Sequence, residues 1–152
     1  MKHLFWSVAL ALFVVSVQPA TASSPVIEGE ISGVEVCIQA FCDAAIFTGT
    51  CDCTVRGRAA PGFFWVTVQH DPLPDDAPLV SAIRGGKWTL TTLRGNFSGR
   101  VIGGTIANNG DNTFAITATL RLQKGGSGDL VVQGELDHND FPPTFDGLLL
   151  QP

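Results

Sequence analysis

Residues 113–122 read TFAITATLRL. Phe114, Ile116, Ala118, Leu120 and Leu122 fall on one parity, and Thr113, Ala115, Thr117, Thr119 and Arg121 on the other. Period-two alternation of this kind describes a β-strand with one buried and one wetted face. Asn108-Asn109-Gly110-Asp111 before it and Gly125-Gly126-Ser127-Gly128 after it accept positive φ, so tight turns bound the strand.

The same pattern extends in both directions. Asp129–His138 alternates through Leu130, Val132, Gly134 and Leu136, and Phe63–His70 through Phe64, Val66 and Val68, with Trp65 on the opposite face. Further strands are expected at Val26–Ile38, with a bulge at Gly33, and at Ala45–Val55, Lys87–Leu93, Phe97–Ile106 and Phe145–Leu150. Asp71–Pro78 holds three Pro and three Asp and reads as the one long loop, while residues 79–84 fit a short strand or a turn of helix. The expected fold is all-β: an antiparallel meander of about eight strands, with a small β-barrel favoured over a β-sandwich. A weak internal echo at an offset of 50 pairs Phe47-Thr48-Gly49 with Phe97-Ser98-Gly99, and Phe64 to Thr67 with Phe114 to Thr117. Either duplication or shared hairpin composition accounts for it.

Lys2 and His3 precede an apolar run from Leu4 to Val17, and Ala20-Thr21-Ala22 is a small-x-small cleavage site. The sequence therefore predicts a signal peptide over 1–22 and a single domain over 23–152, secreted or periplasmic. The run is shorter than the roughly 20 residues of a spanning helix, so no membrane insertion is expected after cleavage. Of the chain's residues 45% are hydrophobic and 15% charged, which excludes a disordered acidic or basic tail. Without Lys2, eight basic side chains face fourteen acidic ones, and the bases are scattered along the sequence. Nucleic acid, which needs a concentrated basic patch, is not an expected partner.

All four cysteines lie between Cys37 and Cys53. In an oxidising compartment that reads as two disulfides, and the C-x4-C-x8-C-x-C spacing is not that of a zinc ribbon. A hairpin over residues 34–54 would favour the nested pairing Cys37–Cys53 and Cys42–Cys51. Pairing Cys51 with Cys53 is the least comfortable alternative, because one residue separates them.

Gly103-Gly104-Thr105, the run from Asn109 to Phe114, and Gly125-Gly126-Ser127-Gly128 together resemble secreted bacterial proteins related to the allene-oxide-cyclase and dirigent-like barrels, over residues 95–138. The resemblance implies an eight-stranded barrel with an interior cavity. It implies no activity, since no catalytic residue of those families matches a position here.

Two histidines carry the chemical interest. His70 opens His70-Asp71-Pro72-Leu73-Pro74, and His138 opens His138-Asn139-Asp140-Phe141-Pro142. Each shares a face with its strand's apolar residues. At a barrel mouth, with Asp71 and Asp140 near in sequence, they could hold zinc or serve as acid and base. The alternative is that each caps a strand end. There is no G-x-S-x-G nucleophile motif, and the glycine run at 125–128 reads as a hairpin turn before an anion cradle. The expected function is a non-catalytic binding or structural role without a cofactor. Its partner would be a small apolar ligand or an envelope protein or glycan. The alternative is a His- or metal-dependent enzyme built on His70 and His138.

Overall fold

The computed structural model describes residues 26–39, 42–73 and 79–152. The signal segment 1–22 and residues 74–78 of the long loop lie outside the described residues. The described chain forms nine strands: β1 (Ile27–Cys37), β2 (Ala44–Val55), β3 (Arg58–Ala59), β4 (Gly62–His70), β5 (Val80–Thr92), β6 (Gly95–Asn108), β7 (Thr113–Lys124), β8 (Gly128–Asp137) and β9 (Thr144–Leu150). Eight of them run around in the order β1-β9-β8-β7-β6-β5-β4-β2, and β1 also pairs with β2 and closes the ring. The fold is thus an all-β, antiparallel up-and-down barrel. The two-residue β3 lies outside that ring, paired to β2 alone.

Each strand turns its apolar parity inward. On β7, Phe114, Ile116, Ala118, Leu120 and Leu122 are buried, and on β8 so are Leu130, Val132 and Leu136. On β4, Phe64, Val68 and His70 are buried while Phe63 and Trp65 face out. An eight-stranded barrel is just wide enough for such side chains to fill. Two cross-strand glycine pairs face inward as well, Gly33 opposite Gly49 and Gly134 opposite Gly147. A Cβ on any of these would run into a neighbouring strand's backbone, so the missing side chain is what lets adjacent strands coil closely there.

The structure departs from expectation at Gly33 and decides two points that the sequence left open. β1 pairs with β2 and β9 in unbroken register through Gly33, so there is no bulge there. The irregularities lie instead at Gln69/His70, Ser98/Gly99 and Val101/Gly103. Residues 80–84 belong to a strand continuous with the Lys87–Leu93 segment; its register with β6 is the same on both sides of Arg84-Gly85, and only against β4 is Arg84 passed over, with Gln69 facing Gly85 and His70 facing Ile83. The echo at offset 50 links β2 with β6 and β4 with β7. Neighbours in the ring are antiparallel and β2 and β6 stand three places apart in it, so they run opposite ways along the barrel, and what they share is an inward Phe followed by an inward Gly.

The meander gives the barrel two distinct ends. The described connections 38–39, 42–43, 71–73, 109–112 and 138–143 gather at a loop-rich end. The turns at 56–57, 93–94 and 125–127 gather at a hairpin end. At the first, Asn108 Oδ1 accepts from Gly110 N at 2.7 Å and Asp111 Oδ1 from the Thr113 hydroxyl at 2.7 Å. The Thr113 hydroxyl holds the Asp111 carboxyl below the usual aspartate range.

Candidate functional site

Cys37 bonds Cys42, and Cys51 bonds Cys53. The nested pairing is overturned, and the strand register is the reason. Cys37 lies opposite Ala45, Cys51 opposite Ile31 and Cys53 opposite Gly29, so the hairpin turns at residues 38–43. Cys42 therefore sits in the turn beside Cys37. Cys51 and Cys53, two apart on one strand, share its inward face and are buried.

His70 and His138 both stand at the loop-rich end. They belong to β4 and to the residue following β8, and these strands are four places apart in the ring of eight. Each ring has its own partners. His70 is buried, and its Nδ1 donates to the Asp71 carbonyl oxygen at 2.6 Å. A carbonyl oxygen can only accept, so that bond requires a proton on Nδ1, and Nε2 is buried with no partner among the described residues. His138 Nε2 lies 2.9 Å from Oε2 of Glu35, and its ring tilts over Phe114 with centroids 5.0 Å apart.

The two aspartates of the sequence motif go elsewhere. Asp71 accepts both Nε and NH2 of Arg84, at 2.9 and 2.6 Å. That hydrogen-bonded guanidinium holds the Asp71 carboxyl below the ordinary aspartate range and raises Arg84. Asp140 accepts the Thr144 hydroxyl at 2.8 Å and ties down the β8–β9 turn.

Glu35 is the functional group that the sequence reading missed. It is 2% exposed, on the inward face of β1. The signal was present: Ile27, Ile31 and Glu35 are spaced by four, which is one parity of a strand. Among the described residues, the one group of three metal-type donors is Glu35 with Cys37 and Cys42. Both of those sulfurs are in a disulfide, so neither offers a thiolate.

Between the two ends the barrel keeps a cavity of about 50 Å³. Its lining is wholly aliphatic and aromatic, including Ile31, Phe47, Phe64, Ile83, Ile116 and Ala118. A single water needs roughly 10–15 Å³ and two to four polar partners, so this space has room for water and nothing to hold it. Its chemistry suits an apolar guest of a few heavy atoms.

No protein-family model, curated protein or solved structure matches this chain.

Proposed function

We propose that this is an exported, non-catalytic binding domain whose barrel encloses a small apolar molecule. The observation that carries the reading is the cavity with no polar group in its wall. Dry apolar cavities of this kind accept apolar guests without leaving a polar partner unmet. Export is supported by the signal-like first 22 residues and by two disulfide pairs. Apolar side chains turned inward, with Thr117, Thr119 and Arg121 outward, are the reverse of a membrane-spanning barrel and favour a water-facing wall. The eight-stranded architecture is also the one that the allene-oxide-cyclase and dirigent-like resemblance implies, although a shared architecture carries no activity by itself.

Isoleucine methyl NMR tests the reading with an internal control. Of the chain's eight isoleucines, Ile31, Ile83, Ile106 and Ile116 line the cavity, and Ile27, Ile38, Ile46 and Ile102 do not. Under xenon pressure, the first four methyls should shift together and saturate, while the second four stay. Ala118→Leu, which fills the space, should abolish the response. Equal shifts across all eight, or none at saturating guest, would overturn the proposal.

A further inference from the structure

The three arginines Arg56, Arg58 and Arg94 are separated by up to 38 residues in sequence, yet folding brings them to one cleft at the hairpin end. Arg56 occupies the β2–β3 turn, Arg58 begins β3, and Arg94 occupies the β5–β6 turn. Arg94 Nε donates to the Ala59 carbonyl oxygen at 3.0 Å, which ties one hairpin tip to the other. The remaining walls of the cleft, Val55, Phe97 and Gly125, are uncharged. Val55 and Phe97 are buried side chains that form an apolar floor. Gly125, at φ +90°, lies so close over the Phe97 ring that a Cβ there would collide with it. The cleft measures about 630 Å³, within the roughly 300–1,000 Å³ range of small-molecule sites.

Two observations set this cluster apart from an ordinary solvated surface. Among the described residues, none of the three arginines has a carboxylate within ion-pair distance, although the chain as a whole carries a net charge of −5. Independently, Arg56 is held at φ +52° with Gly57 at +68°, in the two central positions of a two-residue hairpin turn. That turn favours Asn, Asp or Gly at its first central position, and a long side chain there is strained. The strain places a guanidinium at the rim of the cleft.

We propose that the hairpin end binds a small organic oxyanion, a carboxylate or a phosphate or sulfate ester, that carries an apolar ring or chain. Guanidinium forks match the planar or tetrahedral oxygens of such groups with paired hydrogen bonds. Val55 and Phe97 receive the apolar body. The site is independent of the interior cavity and lies at the barrel end opposite His70 and His138.

Isothermal titration of the full mature chain with benzoate, phenyl phosphate, phenyl sulfate, inorganic phosphate and phenol tests it. The aryl anions should bind, with their order identifying the preferred oxyanion. Inorganic phosphate should bind more weakly, and phenol not measurably. Arg56→Asn should weaken the best anion roughly tenfold, the loss of one charge-assisted contact. The same change should raise the melting temperature, because Asn tolerates the left-handed conformation. A merely structural Arg56 would move the two readouts otherwise. Arg58→Gln, on a β3 residue whose guanidinium has no carboxylate within ion-pair distance among the described residues, gives a second reading that does not depend on the turn. Arg84→Gln removes one positive charge at the opposite end and should leave affinity unchanged. Equal binding of phenol and phenyl phosphate would overturn the proposal. So would full affinity in both Arg56→Asn and Arg58→Gln, or an equal loss in Arg84→Gln.

Discussion

Replacing His138 with alanine strips the partner from a carboxylate that the barrel has already taken out of water. The Glu35 side chain is 1% exposed and that of His138 is 21% exposed, with 2.9 Å between them. Removing one member of a buried pair costs about 3–5 kcal/mol, because the other is left uncompensated. Part exposure of His138 lets water reach the vacated side, so His138→Ala should fall at the lower end, about 3 kcal/mol. The reverse change is unequal. Glu35→Leu leaves an imidazole that still reaches solvent and still lies on Phe114 at 5.0 Å, so its cost should be about 1 kcal/mol or less. The double variant should match Glu35→Leu, which makes the coupling equal to the His138→Ala cost, about 3 kcal/mol. For a domain of about 130 residues, each kcal/mol moves the melting temperature by about 3–5 °C. Thermal and urea unfolding of the four proteins would read these differences directly. Equal costs for the two single variants, or simple additivity in the double, would refute the claim that the ring is there to satisfy the carboxylate.

Three further outcomes are expected. Cleavage before Asp43 and Asp52 without reduction should leave Cys37 and Cys42 joined within the fragment ending at Cys42, and residues 43–51 linked to the fragment beginning at Asp52; the nested pairing would tie all three fragments together. Asp71 and Asp129 are held below the ordinary aspartate range by hydrogen-bonded Arg84 and Arg121. Their contribution is therefore complete above the unfolded value of about 3.9 and is lost as pH falls through the lower folded values. Unfolding midpoints measured from pH 6 to pH 2 should fall less steeply for the Asp71→Asn, Asp129→Asn double variant than for the parent, and parallel curves would count against it. Leu130 is fully buried on β8, so Leu130→Ala should cost about 3–4 kcal/mol in chemical denaturation, whereas a cost under about 1 kcal/mol would mean that the core there is not packed as described.

Alternation made the barrel legible, because a closed sheet converts parity directly into inside and outside. Thr113–Leu122, Asp129–His138 and Phe63–His70 all turn the expected face inward. The turns were legible for a related reason: Asn112 takes φ +64° and Gly110, Gly125 and Gly128 take values from +90° to +108°, conformations those residues tolerate. Where the reading failed, one parity error accounts for much of it. A bulge at Gly33 reverses the face of every later residue on β1. It would turn Val34 and Val36 inward and hide Glu35 on the outside. The unbroken register does the opposite, leaving Val36 and Ile38 exposed and Glu35 buried against His138. The same strand shows why the cysteine pairing was misjudged, since a hairpin that turns at residues 38–43 puts Cys37 beside Cys42 and far from Cys53.

The candidate sites divide along the same line between local and non-local information. His70 and His138 stood out because their motifs are local, yet a local motif says nothing about which strands are neighbours, and the ring sets these two on opposite sides. The arginines show the converse. Scattered along the sequence they form no basic run, but a meander returns every second turn to the same end of the barrel, so Arg56 and Arg94, on different hairpins, converge. An up-and-down barrel thus conceals its sites from linear reading in a predictable way. Turn residues separated by an even number of strands of the eight-strand ring share an end, and chemistry should be sought by sorting turn residues into two sets before any motif is weighed. Sorted so, the loop-rich end has Glu35 paired with His138, Asp71 with Arg84, and Asp111 and Asp140 with threonine hydroxyls. At the hairpin end, Arg56, Arg58 and Arg94 have no carboxylate within ion-pair distance among the described residues, and that end is where an incoming anion would find donors still unspent.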